Sequence, residues 1–385
     1  MTISLKAIEN ANKAFWYKFV FKPLFRNEPF VGTMDISKCE RLLLIRRDNF
    51  GDMVITSSFF TMLKDLNPHV KLDLIASVKG KSVAEFDERL EEVFAYNGGV
   101  KEFLKMCFTL RKRKYDAVLC LSFNGMTLDG LLANLLAPDA PKITTYIRKK
   151  HDLYTILFNA QIDIGKDDAA IPVWRQLRLF GEKLFGVAYP ESRLRQRLFL
   201  KSGAEEAALA YLHAQGLGSK QYVMLNISAR MAFRKWGVEN NATLLKLLLE
   251  KYPTLNIIIS SLPEDRATAQ AILNAVQNPN VKLQPEHFGL HETMALIKHA
   301  TMLISPDTAN VHIAATFGVP CVILCTPISS GTEWIPLNLE HINIYTKEVA
   351  PISTIPPREV FEAFETLWTK VNSLVSVDET SHKAH

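Results

Sequence analysis

Short apolar runs alternate with longer stretches of helical periodicity through the first half of the chain. The runs at residues 42–45, 72–76 and 116–121 predict buried strands, and the stretches at 53–67 and 83–94 predict helices. Strands separated by helices of ten or more residues form βαβ units and a parallel sheet. The first half is therefore predicted to be a doubly wound α/β domain.

A second series of the same kind follows a mixed region, residues 148–200. That region contains a predicted helix at 171–187, with Trp174, Leu177, Phe180 and Leu184 on one face. Beyond it, the pattern predicts strands at 222–226, 256–260, 302–304 and 319–324, and helices at 239–251, 265–276 and 291–298. Two such domains in tandem predict a central cleft between the carboxyl ends of two sheets, where open α/β folds bind ligands.

These patterns divide the chain into five segments. They are an amino-terminal extension (1–35), a first α/β domain (36–200), a second (201–356), a carboxyl-terminal helix (357–375) and a polar tail predicted to be disordered (376–385). The extension mixes basic with aromatic residues, as in a helix that lies in a membrane interface. A helix packed on the protein's own surface is the alternative.

Composition narrows the class of protein. A chain of 385 residues exceeds what one core organises, and 48% hydrophobic with 22% charged residues indicates a packed globular protein. No apolar run approaches the roughly 20 residues of a membrane span. The amino terminus lacks the pattern of a secretory signal, so we expect the protein to stay in the cytoplasm.

Cysteine usage and net charge exclude further classes. Five cysteines without CxxC spacing predict reduced core thiols and no metal site. A net charge of +5 is modest for this length, so it does not indicate nucleic-acid binding, although it is compatible with an anionic partner.

Residues 304–320 hold a strand end followed by a helix that is predicted to begin near Ala309. The backbone N–H groups after Asp307 would point out of the helix amino terminus, which is a ready site for a diphosphate. Asp307 and Thr308 are equally well explained as an ordinary helix cap.

Residues 45–56 form the turn after the first predicted strand. Gly51 permits close backbone approach, and Asp52 opens the next helix facing the predicted cleft, where a carboxylate can accept a proton from an attacking hydroxyl. An acidic cap that stabilises the helix dipole is the alternative.

Residues 226–240 join a strand to a helix and concentrate cations beside a serine. Arg230, Arg234 and Lys235 could hold phosphates and stabilise the charge on a departing diphosphate. A solvated basic loop is the alternative.

The three segments together resemble glycosyltransferase family 9, the heptosyltransferases. Residues 41–56 resemble that family's opening strand and Gly-Asp loop, the Arg-Lys-Trp-x-x-Glu-Asn run resembles its Lys-x-Trp-x-x-Glu segment, and Ser-Pro-Asp-Thr-x-x-x-His resembles its Asp-Thr-Gly-x-x-His signature. The matches keep the family's order over roughly residues 40–370. The resemblance implies the GT-B fold, with an amino-terminal acceptor domain and a carboxyl-terminal donor domain of Rossmann-like type.

The resemblance also implies a role for each matching position. Asp52 would be the general base, in a loop region with Arg46, Asn49, Gly51 and Thr56. The donor would be held by Ser228, Arg234 and Lys235 at phosphate, Asp307 at the sugar, Thr308, the Ala309 backbone and His312 at the diphosphate, and Glu264 at the nucleoside.

This chain departs from the family's pattern at three of these positions. Ala309 and Asn310 stand where the family usually has Gly and often Pro, and Arg234 stands where Lys is usual. Ala309 still offers its N–H, and arginine binds phosphate bidentately, so donor binding should survive.

The resemblance predicts an inverting, metal-independent transferase without a cofactor. It would move heptose from ADP-heptose to a lipid-linked lipopolysaccharide core acceptor, working as a peripheral protein on the inner face of the cytoplasmic membrane. The basic runs 111–114 and 148–150 could add attraction to anionic lipid. The alternatives are a transferase of the same fold with another nucleotide sugar, and a catalytically silent, membrane-associated binding protein.

Overall fold

The computed structural model describes residues 16–25, 27–122, 127–148, 151–165, 171–327 and 334–381. The chain divides into two compact units, residues 1–199 (unit 1) and 200–385 (unit 2). The predicted boundary, between residues 200 and 201, lies one residue further along the chain. Gly203 takes a φ of +83° just before the first helix of unit 2.

Unit 1 is built around one parallel sheet of six strands. Its strands are β1 (Arg41–Arg46), β2 (Lys71–Ala76), β3 (Glu92–Ala95), β4 (Ala117–Cys120), β5 (Lys142–Thr145) and β6 (Ala160–Ile162). Its helices are α1 (Lys22–Leu24), α2 (Phe50–Leu66), α3 (Val78–Ala84), α4 (Val100–Leu110), α5 (Thr127–Leu136), α6 (His151–Leu157) and α7 (Val173–Phe185).

Unit 2 repeats this plan. Its strands are β7 (Tyr222–Asn226), β8 (Asn256–Ser260), β9 (Val281–Leu283), β10 (Met302–Pro306), β11 (Cys321–Cys325) and β12 (His341–Tyr345). Its helices are α8 (Ala204–Ala214), α9 (Val238–Lys251), α10 (Arg266–Val276), α11 (Leu290–His299), α12 (Ala309–Thr316) and α13 (Pro357–Ser381).

The two sheets have the same strand order. It is β3-β2-β1-β4-β5-β6 in unit 1 and β12-β11-β10-β7-β8-β9 in unit 2, and every pairing is parallel. In both sheets the direction of winding reverses between the first and fourth strands of the unit. That reversal is the topological switch point of a doubly wound fold, and ligands bind at its carboxyl end. The predicted α/β class, with two Rossmann-like units, is confirmed.

One predicted element of unit 1 is wrong. The stretch 83–94 is not a helix, because α3 begins earlier, at a Ser77 cap that accepts the N–H of Gly80, and ends at Ala84. The chain then enters β3, whose Phe94 pairs with Ile75 of β2. Four residues of a short strand carry too little periodicity to be separated from the end of a helix.

The interior strand β2, which lies between β3 and β1, carries a charged residue inside the sheet. Asp73 is fully buried and accepts hydrogen bonds from Arg41 Nη1 at 2.8 Å, Arg113 Nη1 at 2.6 Å and the Tyr115 hydroxyl at 2.8 Å. Burial and the neighbouring Asp73 carboxylate raise the pKa of Tyr115, so this phenol stays protonated and donates. Two guanidinium groups and one phenol therefore compensate one buried carboxylate.

The ends of the chain differ in part from expectation. Residues 1–15 of the proposed membrane-interface extension lie outside the described residues, and Trp16–Phe21 form a wide helical turn that leads into α1. Asn27 then ties the segment to unit 1 by donating to Asn134 Oδ1 at 2.8 Å. The helix predicted to end at residue 375 continues to Ser381 as α13, and the last four residues of the tail lie outside the described residues.

Two further expectations concern cysteine and membrane spans. The five cysteines are free thiols, and four of them are buried, in agreement with reduced core thiols. Among the residues that the structure describes, no helix has both the length and the apolar character needed to cross a bilayer.

Candidate functional site

In unit 1, charged side chains gather at the switch point, where β1 and β4 end. Arg46, the last residue of β1, places Nη2 3.2 Å from Asp52 Oδ1 and Nη1 3.3 Å from Asp48 Oδ2. The same guanidinium donates to the carbonyl of Leu121, which follows β4. Arg46 is therefore clamped between the two strand ends and holds both carboxylates.

Asp52 is fixed by the start of α2 as well as by Arg46. It is the third residue of the helix, where its Oδ2 accepts the N–H of Asn49 at 2.9 Å and its own N–H is capped by the Asn49 side chain. Burial raises the pKa of Asp52 above its usual range, Arg46 opposes that rise and Asp48 adds to it. The carboxyl group thus takes part in the helix cap and is also a base of increased proton affinity.

A second ion pair lies beside the first. Arg47 Nη1 is 3.1 Å from Asp129 Oδ1, and both side chains are buried. The guanidinium of Arg47 also lies over the Tyr96 ring, 5.3 Å from its centroid. Burial raises the pKa of Asp129, while Ser122 and Arg47 oppose the rise. The switch point of unit 1 therefore holds alternating charges from three segments of the chain.

The structure corrects the surroundings predicted for Asp52. Gly51 and Thr56 do not belong to a loop, because α2 already begins at Phe50 and contains both. Thr56 is fully buried and its hydroxyl donates to the Asp52 carbonyl at 2.7 Å, so it supports the helix and is not accessible to an acceptor. Asn49 remains exposed at the cap position.

In unit 2 the corresponding switch point is lined by amides and hydroxyls. Asn226, the last residue of β7, donates from Nδ2 to Ser305 Oγ at 2.9 Å and to Thr308 Oγ1 at 3.3 Å. Its Oδ1 accepts the N–H of Ser228 at 3.2 Å. One buried amide therefore joins the turn after β7 to the turn after β10.

Arg234 reaches the turn after β10 from the loop before α9. Its Nη1 donates to the carbonyl of Asp307 at 2.9 Å, and its Nη2 lies 3.8 Å from Asp307 Oδ2. Burial raises the pKa of Asp307, and Arg234 opposes that rise. A cation and a carboxylate are thus held side by side next to a helix amino terminus.

That helix is α12, which begins at Ala309 as predicted, with Thr308 in the cap position. The first N–H groups of a helix have no partner within it, so this end carries donors and partial positive charge. His312 lies one turn further on and is buried, with its ring centroid 6.4 Å from that of Trp334. Its Nδ1 has no hydrogen-bond partner among the described residues. Burial lowers the pKa of His312 to about 4, which makes the imidazole neutral near pH 7.

The remaining predicted donor residues are placed around the segment after β8. Ser228 Oγ accepts the N–H of Leu262 at 2.9 Å, which leaves its own O–H proton to donate elsewhere. Lys235 Nζ lies 2.5 Å from Oδ1 of the buried Asp265 and not beside Asp307. Glu264 is exposed in the short turn Pro263–Asp265.

Direct contacts thus bring together Arg46, Asn49 and Asp52 in unit 1, and Arg234, Asp307 and Thr308, with Ser228, in unit 2. Sequence reasoning missed Asn226 and Asp265, which organise the second group. A polar residue that ends an otherwise apolar strand is a signal that could have identified Asn226. Asp265 has no such signal, because its partner Lys235 lies thirty positions away.

The two switch points have different chemical capabilities. Unit 1 offers a carboxylate of raised pKa beside guanidinium groups, which suits proton acceptance. Unit 2 offers a helix amino terminus, hydroxyls and an arginine, which suits a diphosphate. Within the described residues, no three His, Cys, Asp or Glu side chains group as metal ligands.

Comparison with known sequences identifies a family. The family model "Glycosyltransferase family 9 (heptosyltransferase)" matches residues 103–351, a range that includes all the unit 2 site residues and begins after Asp52. Lipopolysaccharide heptosyltransferase 3 of Escherichia coli is 21% identical over 352 residues, covering 85% of this chain and 95% of the relative.

Solved structures share the fold over both units. A family 9 glycosyltransferase of Veillonella parvula is 18% identical with a TM-score of 0.74, covering 88% of this chain and 99% of the other. The Escherichia coli heptosyltransferase WaaC, solved with ADP, is 16% identical with a TM-score of 0.67, covering 85% of this chain and 99% of the other. Unlike the family match, these alignments extend over more than four-fifths of the chain.

Proposed function

The chain belongs to glycosyltransferase family 9, the heptosyltransferases, and on that premise we propose that it transfers heptose from ADP-heptose to a lipid-linked lipopolysaccharide core acceptor. As a member of the family it is a glycosyltransferase. The donor, the acceptor and the roles of individual residues are the proposed part.

The observation that carries the proposal is the turn after β10 in unit 2, where hydroxyls and an arginine lie beside a helix amino terminus. Asn226 joins the turns after β7 and β10, and Arg234 lies against Asp307 where α12 begins. In the proposed donor complex, Ser228, Arg234, Thr308, the Ala309 N–H and His312 hold the diphosphate. Asp307 contacts the sugar and Glu264 the nucleoside. An adenine nucleotide is favoured because the similar WaaC enzyme was solved with ADP.

Lys235 has a different part in this proposal. Its ammonium group is occupied by Asp265, so it reaches a phosphate only by leaving that carboxylate. Arg234 is therefore the cation that we expect to neutralise the departing diphosphate, and Lys235 chiefly holds the neighbouring loop.

The proposed reaction is a single inverting displacement without metal. The acceptor hydroxyl attacks the anomeric carbon as its proton passes to Asp52, and the bond from that carbon to the diphosphate breaks with its electrons on the diphosphate oxygen. Burial gives Asp52 a raised pKa, while Arg46 favours the ionised form that can accept the proton.

The proposal also includes the place where the protein meets its acceptor. A lipid-linked saccharide would be met at the cytoplasmic face of a membrane, with no part for nucleic acid. Phe19 and Leu24, at the described end of the amino-terminal extension, are exposed, which supports a role for that segment at a lipid surface.

The first experiment is the shift in thermal midpoint of the purified protein with ADP, UDP, GDP and ADP-heptose. Ligands that bind the native state raise the midpoint by mass action. We expect a selective shift with ADP and a larger one with ADP-heptose. Preference for another nucleotide would keep the reaction class and discard the donor.

Turnover distinguishes the remaining alternative, a catalytically silent binding protein. We expect release of ADP from ADP-heptose that depends on a deacylated lipopolysaccharide core acceptor. Nucleotide binding without acceptor-dependent ADP release from ADP-heptose would favour the silent protein.

A further inference from the structure

Helix α4 of unit 1 exposes a row of apolar side chains. Val100 is 74% exposed, Leu104 50% and Phe108 71%. Residues four apart lie one above the other on a helix, so these three form a single ridge about 12 Å long. We refer to Val100, Leu104 and Phe108 as the α4 ridge.

The ridge is not part of the face that holds α4 to unit 1. Met106 and Leu110 are buried in the core of the unit, and Phe103 and Cys107 pack partly against it. On a helical projection the centre of the ridge lies slightly more than a quarter-turn away from the centre of that core face. The apolar side chains of the ridge are thus left to solvent while the helix is already anchored elsewhere.

The charge around the ridge is mainly positive. Lys101 and Lys105 are exposed on the same helix, and Arg111, Lys112 and Lys114 follow it, also exposed. The acidic residue of the helix, Glu102, folds back against Gly99 at the helix amino terminus, where the helix dipole favours it. Arg113, by contrast, turns inward to Asp73 and Glu92.

The basic surface continues from the end of α4 along the amino edge of the sheet. Lys114 lines a shallow depression together with Lys38, Arg41 and Lys71. Of the acids here, Asp116 accepts the backbone N–H groups of Glu40 and Arg41 at 2.7 and 2.8 Å, Asp35 pairs with Lys38, and Glu40 is exposed. The apolar ridge is therefore followed by a surface in which cations outnumber acids.

We propose that the α4 ridge inserts into the interface of an anionic lipid bilayer, with the surrounding lysines and Arg111 on the lipid headgroups. Apolar side chains flanked by cations are the composition of an interfacial helix, and lysine stems lie along apolar surface while the ammonium stays at the headgroups. A protein partner would need acidic residues opposite the same cations. The charge complementarity favours a planar anionic surface.

This inference goes beyond the proposed function, because it assigns membrane contact to a helix of unit 1 in addition to the amino-terminal extension. It does not depend on the donor or the reaction. Vesicle binding is measured without sugar nucleotide, and the thermal shift with ADP is measured without vesicles, so the two proposals can fail separately.

The test is co-sedimentation of the full chain with vesicles of phosphatidylglycerol and phosphatidylethanolamine, against vesicles of phosphatidylcholine alone. Two double variants probe the surface: Leu104→Ser with Phe108→Ser, and Lys101→Gln with Lys105→Gln. Two single-substitution controls carry changes of the same kind in unit 2, Leu209→Ser on α8 and Lys246→Gln on α9, both at exposed positions.

We expect the unaltered protein to bind the anionic vesicles, and to do so less as salt is added. Each α4 double variant should bind about tenfold or more weakly, while the controls bind as before. All four substituted positions on α4 are exposed, so melting temperature and the shift with ADP should stay unchanged.

Three results would overturn the inference. They are failure of the unaltered protein to bind anionic vesicles, equal binding by the α4 double variants, and a dimer in solution that the ridge variant converts to monomer without altering vesicle binding. The last result would assign the ridge to contact between two copies of the chain.

Discussion

The two switch points have the same topology and different chemistry. In unit 1 the segments after β1 and β4 hold ion pairs, Arg46 with Asp48 and Asp52, and Arg47 with Asp129. In unit 2 the ends of β7 and β10 are joined by the neutral amide of Asn226 and by hydroxyls, with Arg234 beside Asp307. One strand order therefore supports a site dominated by ion pairs in one unit and a site dominated by neutral hydrogen-bonding groups in the other.

The difference shows how each site is kept ready for its task. A buried carboxylate is stable only with a nearby cation, so Asp52 is held by Arg46 while burial keeps its pKa raised. An anion site works in the reverse sense, because its donors must remain available until the anion arrives. Neutral groups such as Asn226 can fix the turns without occupying the position of the anion.

The largest effect is expected from Asp52→Asn, which tests whether unit 1 accepts the proton. The amide keeps an oxygen for the Asn49 cap but cannot take a proton at neutral pH, so turnover should fall about a hundredfold to ten-thousandfold. ADP release in the presence of acceptor measures it.

Stability gives the control for that variant. An acid whose folded-state pKa is raised makes the folded protein less stable as pH rises through that pKa, and the amide removes this penalty. The melting temperature of Asp52→Asn near pH 7 should equal or exceed that of the unaltered protein. Lost ADP binding, or a large drop in melting temperature, would mean that Asp52 is chiefly structural.

The next effect concerns the anion site of unit 2. Arg234→Ala should weaken ADP binding about tenfold to a hundredfold, because a charge-assisted hydrogen bond to phosphate is lost. Calorimetric titration measures the affinity. Arg230→Ala, at an exposed arginine of the same loop, is the matched control, and an equal loss in both would indicate general attraction of the basic loop.

A smaller effect separates Lys235 from Arg234. Lys235→Met leaves the buried Asp265 without its cation, which should lower the stability of the fold by about 1–2 kcal/mol, since the lysine is partly exposed. Adding Asp265→Asn should restore most of the loss. ADP affinity should change less than in Arg234→Ala, and a larger change would return Lys235 to the phosphate site.

The smallest effect is a shift in the pH profile. Turnover needs ionised Asp52, so it should fall as pH drops through a pKa that burial holds above the usual aspartate range. The charge of Asp48 adds to that rise, and Asp48→Asn should therefore move the acid limb of the pH profile to lower pH. An unmoved limb in kcat/KM would show that another group titrates.

The sequence predicted strands and helices best where apolar periodicity was long. In unit 2, β7 and β8 have the bounds that the pattern predicts, and α12 begins at the expected Ala309. The short β3 was merged into a helix, since four residues cannot distinguish the two periods. Long helices and fully buried strands can be recognised from their own apolar pattern. Short edge strands form because of the strands beside them, so their own sequence does not identify them.

The sequence predicted which residues form the site better than it predicted which residues they contact. The motifs identified Asp52, Arg234 and Asp307, and the structure supplies the contacts that set their state. Arg47 with Asp129 joins positions 82 apart in the sequence. Whether a carboxylate caps a helix, pairs with a guanidinium or does both depends on such distant contacts, which a local pattern does not contain.

Asp73 has a consequence for how unit 1 assembles. The strands β1 and β2 are apolar on both faces, so a shifted alignment between them would bury nearly the same hydrophobic area. Only the observed alignment, with Leu43 beside Asp73, gives this carboxylate Arg41, Arg113 and Tyr115 together. In a misaligned sheet this buried carboxylate would lack its partners. We therefore expect Asp73 to disfavour wrong strand registers while the protein folds.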